Sequence, residues 1–354
     1  MSRFLKDCYQ TLEVYTPGEQ PRDKRYIKLN TNESPYPPSD GVVEAVNAEE
    51  VRNLRLYSDP EGRELRDALA KLYGVKAQNI FLSNGSDDIL NFAFMAFTAK
   101  GAVFPEISYG FYKVFAELHG VDFNAIPLKE DFRIDPLDYR NGDGRLIVIA
   151  NPNAPTGLCL SLDETESILK ANPDSVVVID EAYIDFGGES CYPLINKYKN
   201  LLVVQTFSKS RSMAGARLGF AVADEELISD LERIKYSTNP YNINRLTLAA
   251  GKAAVEDNDY YMANCQRIIE TRDYTTRELE RLGFYVIPSK ANFVFAESDR
   301  IGGEELYLKL KADGILVRHF GNEKIKNFNR ITIGSQDEMQ AFIKACEKIL
   351  EAEK

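Results

Sequence analysis

LLVVQTFSKSRSMAGARLGF (residues 201–220) joins an unbroken apolar run to a loop that sets Lys209 among Thr206, Ser208, Ser210 and Ser212, with Arg217 eight residues later. Such a run suits a strand buried on both faces, and strands of that kind form mostly parallel sheets covered by helices. The loop is then the carboxyl end of a strand, where open α/β sheets gather their ligands. A solvated loop lysine is the plain alternative, so the surroundings decide.

Outward from this stretch the same pattern repeats. NIFLS (79–83), GAVF (101–104), RLIVIA (145–150), SVVVID (175–180) and LGFAVA (218–223) are short β-branched or apolar runs. Helix-period segments alternate with them, at 62–74, Asp87 to Ala99, around 109–119 and 224–236. Residues 242–283 read as largely helical, with a long amphipathic piece over 258–282. After Gly283 the order is strand (FYVI), strand (ANFVFAE), helix (GEELYLKLKA), strand (ILVR), strand (RITIGS) and a helix over 336–352. The expected fold is α/β, a mostly parallel central sheet covered by helices, with a smaller α+β lobe. Residues 16–40 hold five prolines and read as an extended arm. The expected division is an arm over 1–40 that joins the small domain, a large domain over 41–257 and a small domain over 258–354. No internal repeat or low-complexity tract interrupts this order.

A net charge of −11 argues against nucleic acid or an anionic membrane surface as a partner, because both call for a basic field. Any anionic ligand must be held by a few local cations and backbone amides. The five cysteines (Cys8, Cys159, Cys191, Cys265, Cys346) are scattered without CxxC spacing and suggest reduced, buried thiols. Two histidines, His119 and His319, are too few for a His-based metal site, so no metal is expected. Lys6 and Asp7 fall where a signal peptide would be apolar, and no run approaches the roughly 20 residues of a membrane span. The expected location is the cytoplasm.

Four strand ends carry unusual chemistry. SNGSDDIL (83–90) leads through a Gly-Ser turn into a helix whose first amides could hold phosphate, although Ser86 as a simple N-cap explains it as well. NPNAPTG (151–157) makes a rigid turn with asparagine amides, or serves as a turn alone. SVVVIDEAYIDF (175–186) ends an apolar strand in Asp180, a carboxylate that demands a cationic partner. Lys209 ends its own strand 29 residues later, room for one crossover between neighbours, with Arg217 and hydroxyls as further phosphate donors. A phosphorylated cofactor that takes a Schiff-base lysine and a carboxylate on its ring nitrogen fits the whole set. That cofactor is pyridoxal 5'-phosphate.

In this order, LNTNESPYPP, NGSDD, NPNAPTG, DEAYIDF, TFSKSRSMAGARLGF, ANFVF and RITIGS cover nearly the whole chain. The combination resembles the histidinol-phosphate aminotransferases, fold-type I pyridoxal-phosphate enzymes of the aspartate aminotransferase superfamily. Aromatic aminotransferases and threonine-phosphate decarboxylase share most of these motifs and are the alternatives within the superfamily. A non-catalytic regulator on the same fold would need an added basic DNA-binding domain, for which residues 1–40 are too short.

The resemblance implies transamination between L-histidinol phosphate and 2-oxoglutarate in histidine biosynthesis. Lys209 would hold the cofactor and then move the proton at the substrate Cα. Asp180 would pair with the ring nitrogen, Tyr183 would reach O3', and Tyr109 would stack on the ring unless it is an ordinary core tyrosine. Ser86, Asp87, Ser208 and Arg217 would hold the cofactor phosphate, joined by Tyr57 from a neighbouring subunit, which implies a homodimer. The small-molecule substrates, a phosphorylated amino alcohol and a 2-oxo acid, would meet Tyr15, Asn32, Arg318 and Arg330. The two arginines would clamp the anion, with a surface strand position as the alternative. The chain departs from the pattern at Ala154, where the family usually has an asparagine bonded to O3'; Asn153 or Asn151 is the expected substitute.

Overall fold

The structure, a computed structural model, describes residues 4–6, 9, 10 and 12–352, so the expectation for Cys8 lies outside the described residues. In chain order the strands are β1 (Ile27–Lys28), β2 (Ile80–Ser83), β3 (Ala102–Pro105), β4 (Phe123–Ile126), β5 (Leu146–Ala150), β6 (Val177–Asp180), β7 (Leu201–Thr206) and β8 (Gly219–Ala223). After them come β9 (Phe284–Ile287), β10 (Phe293–Ser298), β11 (Ile315–Leu316), β12 (Arg318–His319) and β13 (Asn329–Thr332).

Seven strands form the main sheet in the order β2-β8-β7-β6-β5-β3-β4. Pairings from β4 through β7 are parallel, while β8 runs antiparallel to both β7 and β2. Every residue of β5, β6 and β7 is buried, because helices cover both faces. On one face Ile149, Ile179 and Val203 pack with Leu69 of helix Arg63–Tyr73, Ile168 of helix Leu162–Ala171 and Ala254 of helix Arg245–Glu256. On the other, Val148, Val178 and Leu202 meet Leu90 of helix Ser86–Phe97, Phe115 of helix Phe111–His119 and Leu231 of helix Glu225–Thr238. That two-sided burial is why these strands lack an alternating pattern.

A second, antiparallel sheet has the order β12-β13-β10-β9. Its core adds Cys265 and Ile268 from helix Asn258–Arg281, Leu310 from helix Gly303–Ala312 and Phe342 and Cys346 from helix Gln336–Ala352. Tyr183 and Ala154, which follow the ends of β6 and β5, belong to this same cluster. The main sheet's ligand end therefore abuts the second core.

Three details differ from the sequence reading. An edge strand, β4, closes the main sheet although FNAI has no continuous apolar run; its residues are exposed or half-buried, so burial never had to write itself into the sequence. ILVR, expected as one strand, divides: Ile315 and Leu316 pair in parallel with Ile27 and Lys28 of the arm, while Arg318 turns to β13. Residues 40–52 form two short helices, Asp40–Ala45 and Ala48–Arg52, where no element was expected.

Ile179 is wholly buried one residue before Asp180. Replacing Ile179 by Ala should lower unfolding free energy by about 2–5 kcal/mol, read from urea denaturation midpoints.

Candidate active site

In register, Asp180 lies between Ala150 of β5 and Val204 of β7, at the carboxyl ends of three buried strands. Its Oδ2 accepts a hydrogen bond from the Tyr112 hydroxyl at 2.8 Å, and its Oδ1 accepts one from the Ala182 backbone N–H at 3.2 Å. Burial raises its pKa to about 6 despite these donors. Lys209 follows β7 through a turn in which the Ser208 N–H donates to Thr206 Oγ1 at 3.1 Å. The Lys209 Nζ donates to the Thr31 carbonyl at 3.1 Å and lies 5.7 Å from the centre of the Tyr183 ring. Its pKa is lowered to about 8, first by burial, then by the charge of Arg330. Such an amine is neutral far more often near neutral pH than an ordinary lysine is.

Both groups line a cavity of about 460 Å³. One corner of it is built for an anion. Helix Ser86–Phe97 starts at Gly85, which sits at φ +90° and offers no side-chain cap, so the first-turn amides are not taken by one. Ser86 is the first helical residue and not the cap that the plainer sequence reading made it. A Cβ on Gly85 would stand 2.7 Å from the Arg217 guanidinium, and one on Gly219 would stand 2.4 Å from the Ser86 backbone nitrogen. Arg217, in the left-handed region at φ +55°, donates to Ser208 Oγ at 3.2 Å and to Asp87 Oδ2 at 3.2 Å. Ser86, Asp87, Ser208 and Arg217 are thus brought together as the sequence suggested.

Tyr109 donates its hydroxyl hydrogen to Asp87 Oδ1 at 2.7 Å, and burial with that carboxylate raises its pKa. The Tyr183 hydroxyl accepts from Asn32 Nδ2 at 2.9 Å. Tyr15 stacks on Phe111 with ring centres 4.2 Å apart and meets Tyr109 edge-on at 6.2 Å. Arg318 and Arg330 are cross-strand partners on β12 and β13. Arg318 donates to the carbonyls of Thr16 and Pro17, and Arg330 donates to that of Asn30 while its Nε is buried without a partner among the described residues. Tyr15, Asn32, Tyr109, Tyr183, Arg318 and Arg330 all line the cavity.

Three expected residues lie elsewhere. Asn153 does not line this cavity: its Nδ2 donates to the Ile107 carbonyl and to Thr156, and its Oδ1 accepts from Ser108. Asn151 is likewise committed, to both backbone groups of Leu160. Neither therefore takes the place of the asparagine missing at Ala154, and Ala154 itself faces the cavity. Tyr57 is 79% exposed, stacked on Tyr241 and outside the cavity of its own chain.

Sequence reasoning missed Tyr112, the Thr31 carbonyl, Glu33 and Phe320. The Thr31 contact uses backbone and leaves no trace in residue type.

These groups fit pyridoxal phosphate: uncapped helix amides beside Arg217, a close approach that only glycine allows at 85 and 219, a buried carboxylate and a partly neutral lysine. Fold and donor set together define a pyridoxal-phosphate transferase. The chain belongs to the aminotransferase class I and II family, whose sequence profile matches residues 24–346. Its sequence is 52% identical over 353 residues to the histidinol-phosphate aminotransferase of Brachyspira hyodysenteriae, covering 99% of each chain. It is 52% identical over 349 residues to that of Marinomonas sp., covering 98% of this chain and 99% of the relative. Among solved structures, the histidinol-phosphate aminotransferase of Clostridium acetobutylicum superposes with a TM-score of 0.85 at 26% identity, over 92% of this chain and 99% of that one. That of Sinorhizobium meliloti, in complex with pyridoxal-5'-phosphate, reaches 0.88 at 24% identity over 99% of both and shows the shared fold.

A lysine titrating at about 8 should be detectable by NMR in the cofactor-free chain carrying labelled lysine side chains, and should vanish in Lys209→Ala. Gly219→Ala should push the head of helix Ser86–Phe97 aside, since the obstructing atoms are backbone. Its affinity for pyridoxal phosphate should fall at least about tenfold in a calorimetric titration.

Proposed function

We propose that this chain transfers the amino group of L-histidinol phosphate to 2-oxoglutarate, giving imidazole acetol phosphate and L-glutamate in histidine biosynthesis. The observation that carries the reading is the pairing of Asp180 and Lys209 at the ends of adjacent parallel strands, beside an anion corner and facing Arg318 and Arg330. Pyridoxal 5'-phosphate, when bound, supplies the electron sink that lets the substrate Cα–H bond break. Asp180 would hold the ring nitrogen by its charge, and Tyr183, whose hydroxyl is held by Asn32, would reach O3'. Tyr109 would cover the ring, with its hydroxyl anchored on Asp87. The backbone amides of Ser86 and Asp87, with Ser208 and Arg217, would hold the phosphate.

Lys209 takes the proton from the substrate Cα and returns one to the carbon that receives the amine. Its lowered pKa, about 8, makes that possible near neutrality. The rate of the proton-transfer step should therefore climb as pH rises through about 8, as the amine loses its proton. Arg318 and Arg330 grip the substrate phosphate in the first half-reaction and a carboxylate of 2-oxoglutarate in the second. Tyr15 and Asn32 complete the wall from the arm.

The working assembly in this reading is a homodimer. Support comes from the exposed apolar residues Val43, Val46, Val51, Leu54, Leu56 and Tyr57, close in sequence, which a second copy would cover. Tyr57 of one chain would then add its hydroxyl to the phosphate corner of the other. We place the protein in the cytoplasm; Cys159, Cys191, Cys265 and Cys346 are free thiols, and among the described residues no helix is long and apolar enough to cross a membrane.

Absorbance of the purified protein decides the reaction. The visible band of the bound cofactor should fade on adding L-histidinol phosphate and return on adding 2-oxoglutarate. Indifference to histidinol phosphate, with response to an aromatic amino acid or with carbon dioxide released from threonine phosphate, would overturn the substrate reading. Arg330→Gln should lower kcat/KM by about a hundredfold, the scale of a lost charge-assisted pair of hydrogen bonds, and Arg330→Lys should recover little of it.

A further inference from the structure

Tyr112 has so far no part in the reaction, yet it is 1% exposed and its hydroxyl meets Asp180 Oδ2 at 2.8 Å. It sits in the first turn of helix Phe111–His119, and its ring meets Tyr109 edge-on at 5.8 Å and Phe104 at 6.0 Å. This packing fixes where the hydroxyl points. Burial and the neighbouring carboxylate raise its pKa well above the usual phenol value, so it stays neutral and acts on Asp180 as a donor. The groups that face Asp180 are few. Lys209, from the turn after β7, favours its charged form; Asp87, from helix Ser86–Phe97, opposes it; the Ala182 amide donates at a longer 3.2 Å; Tyr183 belongs to the same segment. Tyr112 is thus the nearest uncharged donor on that carboxylate among the described residues.

We propose that Tyr112 is a positioning residue for the reaction: its hydroxyl fixes the rotation of the Asp180 carboxylate and keeps it charged, so that a proton shared with the cofactor's ring nitrogen stays on the ring. The proposal rests on the reading of this cavity as a pyridoxal-phosphate site. It assigns to one buried phenol the control of how strongly the ring can draw electrons. The phenol touches neither substrate nor cofactor, so its influence passes entirely through Asp180. A donor to the charged form favours that form, and loss of the donor moves the shared proton toward the carboxylate.

The test uses the cofactor-free protein with pyridoxamine 5'-phosphate, which binds without a covalent bond, and with its analogue in which C–H replaces the ring nitrogen. The wild type should prefer the nitrogen-containing ligand. Tyr112→Phe should lose roughly tenfold of that preference while binding the analogue as before. The ¹⁵N resonance of the labelled ring nitrogen should move from its protonated position toward that of neutral pyridine. In an Asp180→Asn background the Tyr112→Phe change should have no further effect on either readout. Should Tyr112→Phe fail to fold, 3-fluorotyrosine at position 112 keeps the shape and strengthens the donor, and the resonance should move the other way. Equal weakening toward both ligands, or a resonance that does not move in whichever variant folds, would overturn the role of Tyr112. A wild type with no preference for the ring nitrogen would instead overturn the reading of the site.

Discussion

A carboxylate with nowhere to shed its charge governs this molecule. Asp180 ends a strand buried on both faces, and removing such a group from water costs several kcal/mol unless a cation or strong donors replace the solvent. The structure supplies two neutral donors, Tyr112 and the Ala182 amide, and these leave the acid weak, with a pKa of about 6. Lys209 stands nearby on the next strand's turn, but its amine is turned to the Thr31 carbonyl and is itself pushed toward neutrality. Each group is thus disfavoured in its charged form. A protonated aromatic nitrogen beside Asp180 would relieve the acid, and a carbonyl carbon beside Lys209 would use the neutral amine, so one ligand would answer both strains.

The anion corner obeys a related economy. The chain carries a net charge of −11, so binding phosphate has to be local. One arginine, Arg217, is held in a left-handed backbone conformation and ties Ser208 to Asp87. Asp87 in turn holds Tyr109 through its other oxygen. Tyr109 and Arg217, the residues proposed for the ring and for the phosphate, therefore share a single carboxylate, and their spacing is set by one helix terminus. Gly85 and Gly219 allow that terminus to approach β8, since any Cβ there would meet guanidinium or backbone.

The parts of this arrangement that were legible in sequence are those that burial or charge writes into residue type. Fully buried strands such as β6 and β7 announce themselves as apolar runs; Asp180 stands out because it ends one, and Lys209 and Arg217 because they lie in the loop between β7 and β8. Edge strand β4 and the two-residue strand β1 left no such pattern, because their residues are exposed or half-buried, while ILVR was legible as a strand but not as the two separate pairings of β11 and β12. Asn153 misled because an asparagine in a turn serves a backbone or a ligand equally well, and here Ile107, Thr156 and Ser108 use it up. Tyr112 was invisible for the opposite reason: an aromatic residue on a helix facing a sheet reads as core, and its hydroxyl shows its purpose only in three dimensions.

Asn32 shows how the two cores come to act as one site. It sits at φ +57°, a conformation asparagine tolerates better than most residues. Its backbone N–H donates to Thr332 Oγ1, the Thr332 hydroxyl donates to its Oδ1, and Asn292 donates to its carbonyl, so β13 and the segment before β10 hold it on three sides. Its remaining donor goes to the Tyr183 hydroxyl, beyond the end of β6 in the main sheet. The preceding residue, Thr31, receives Lys209. Two consecutive residues of a proline-rich arm therefore link the second sheet to both the lysine and the tyrosine of the cavity. Any shift of the second sheet that changed the distance between Arg330 and the anion corner would pull on the same two residues, which couples the position of Arg330 to the geometry around Lys209.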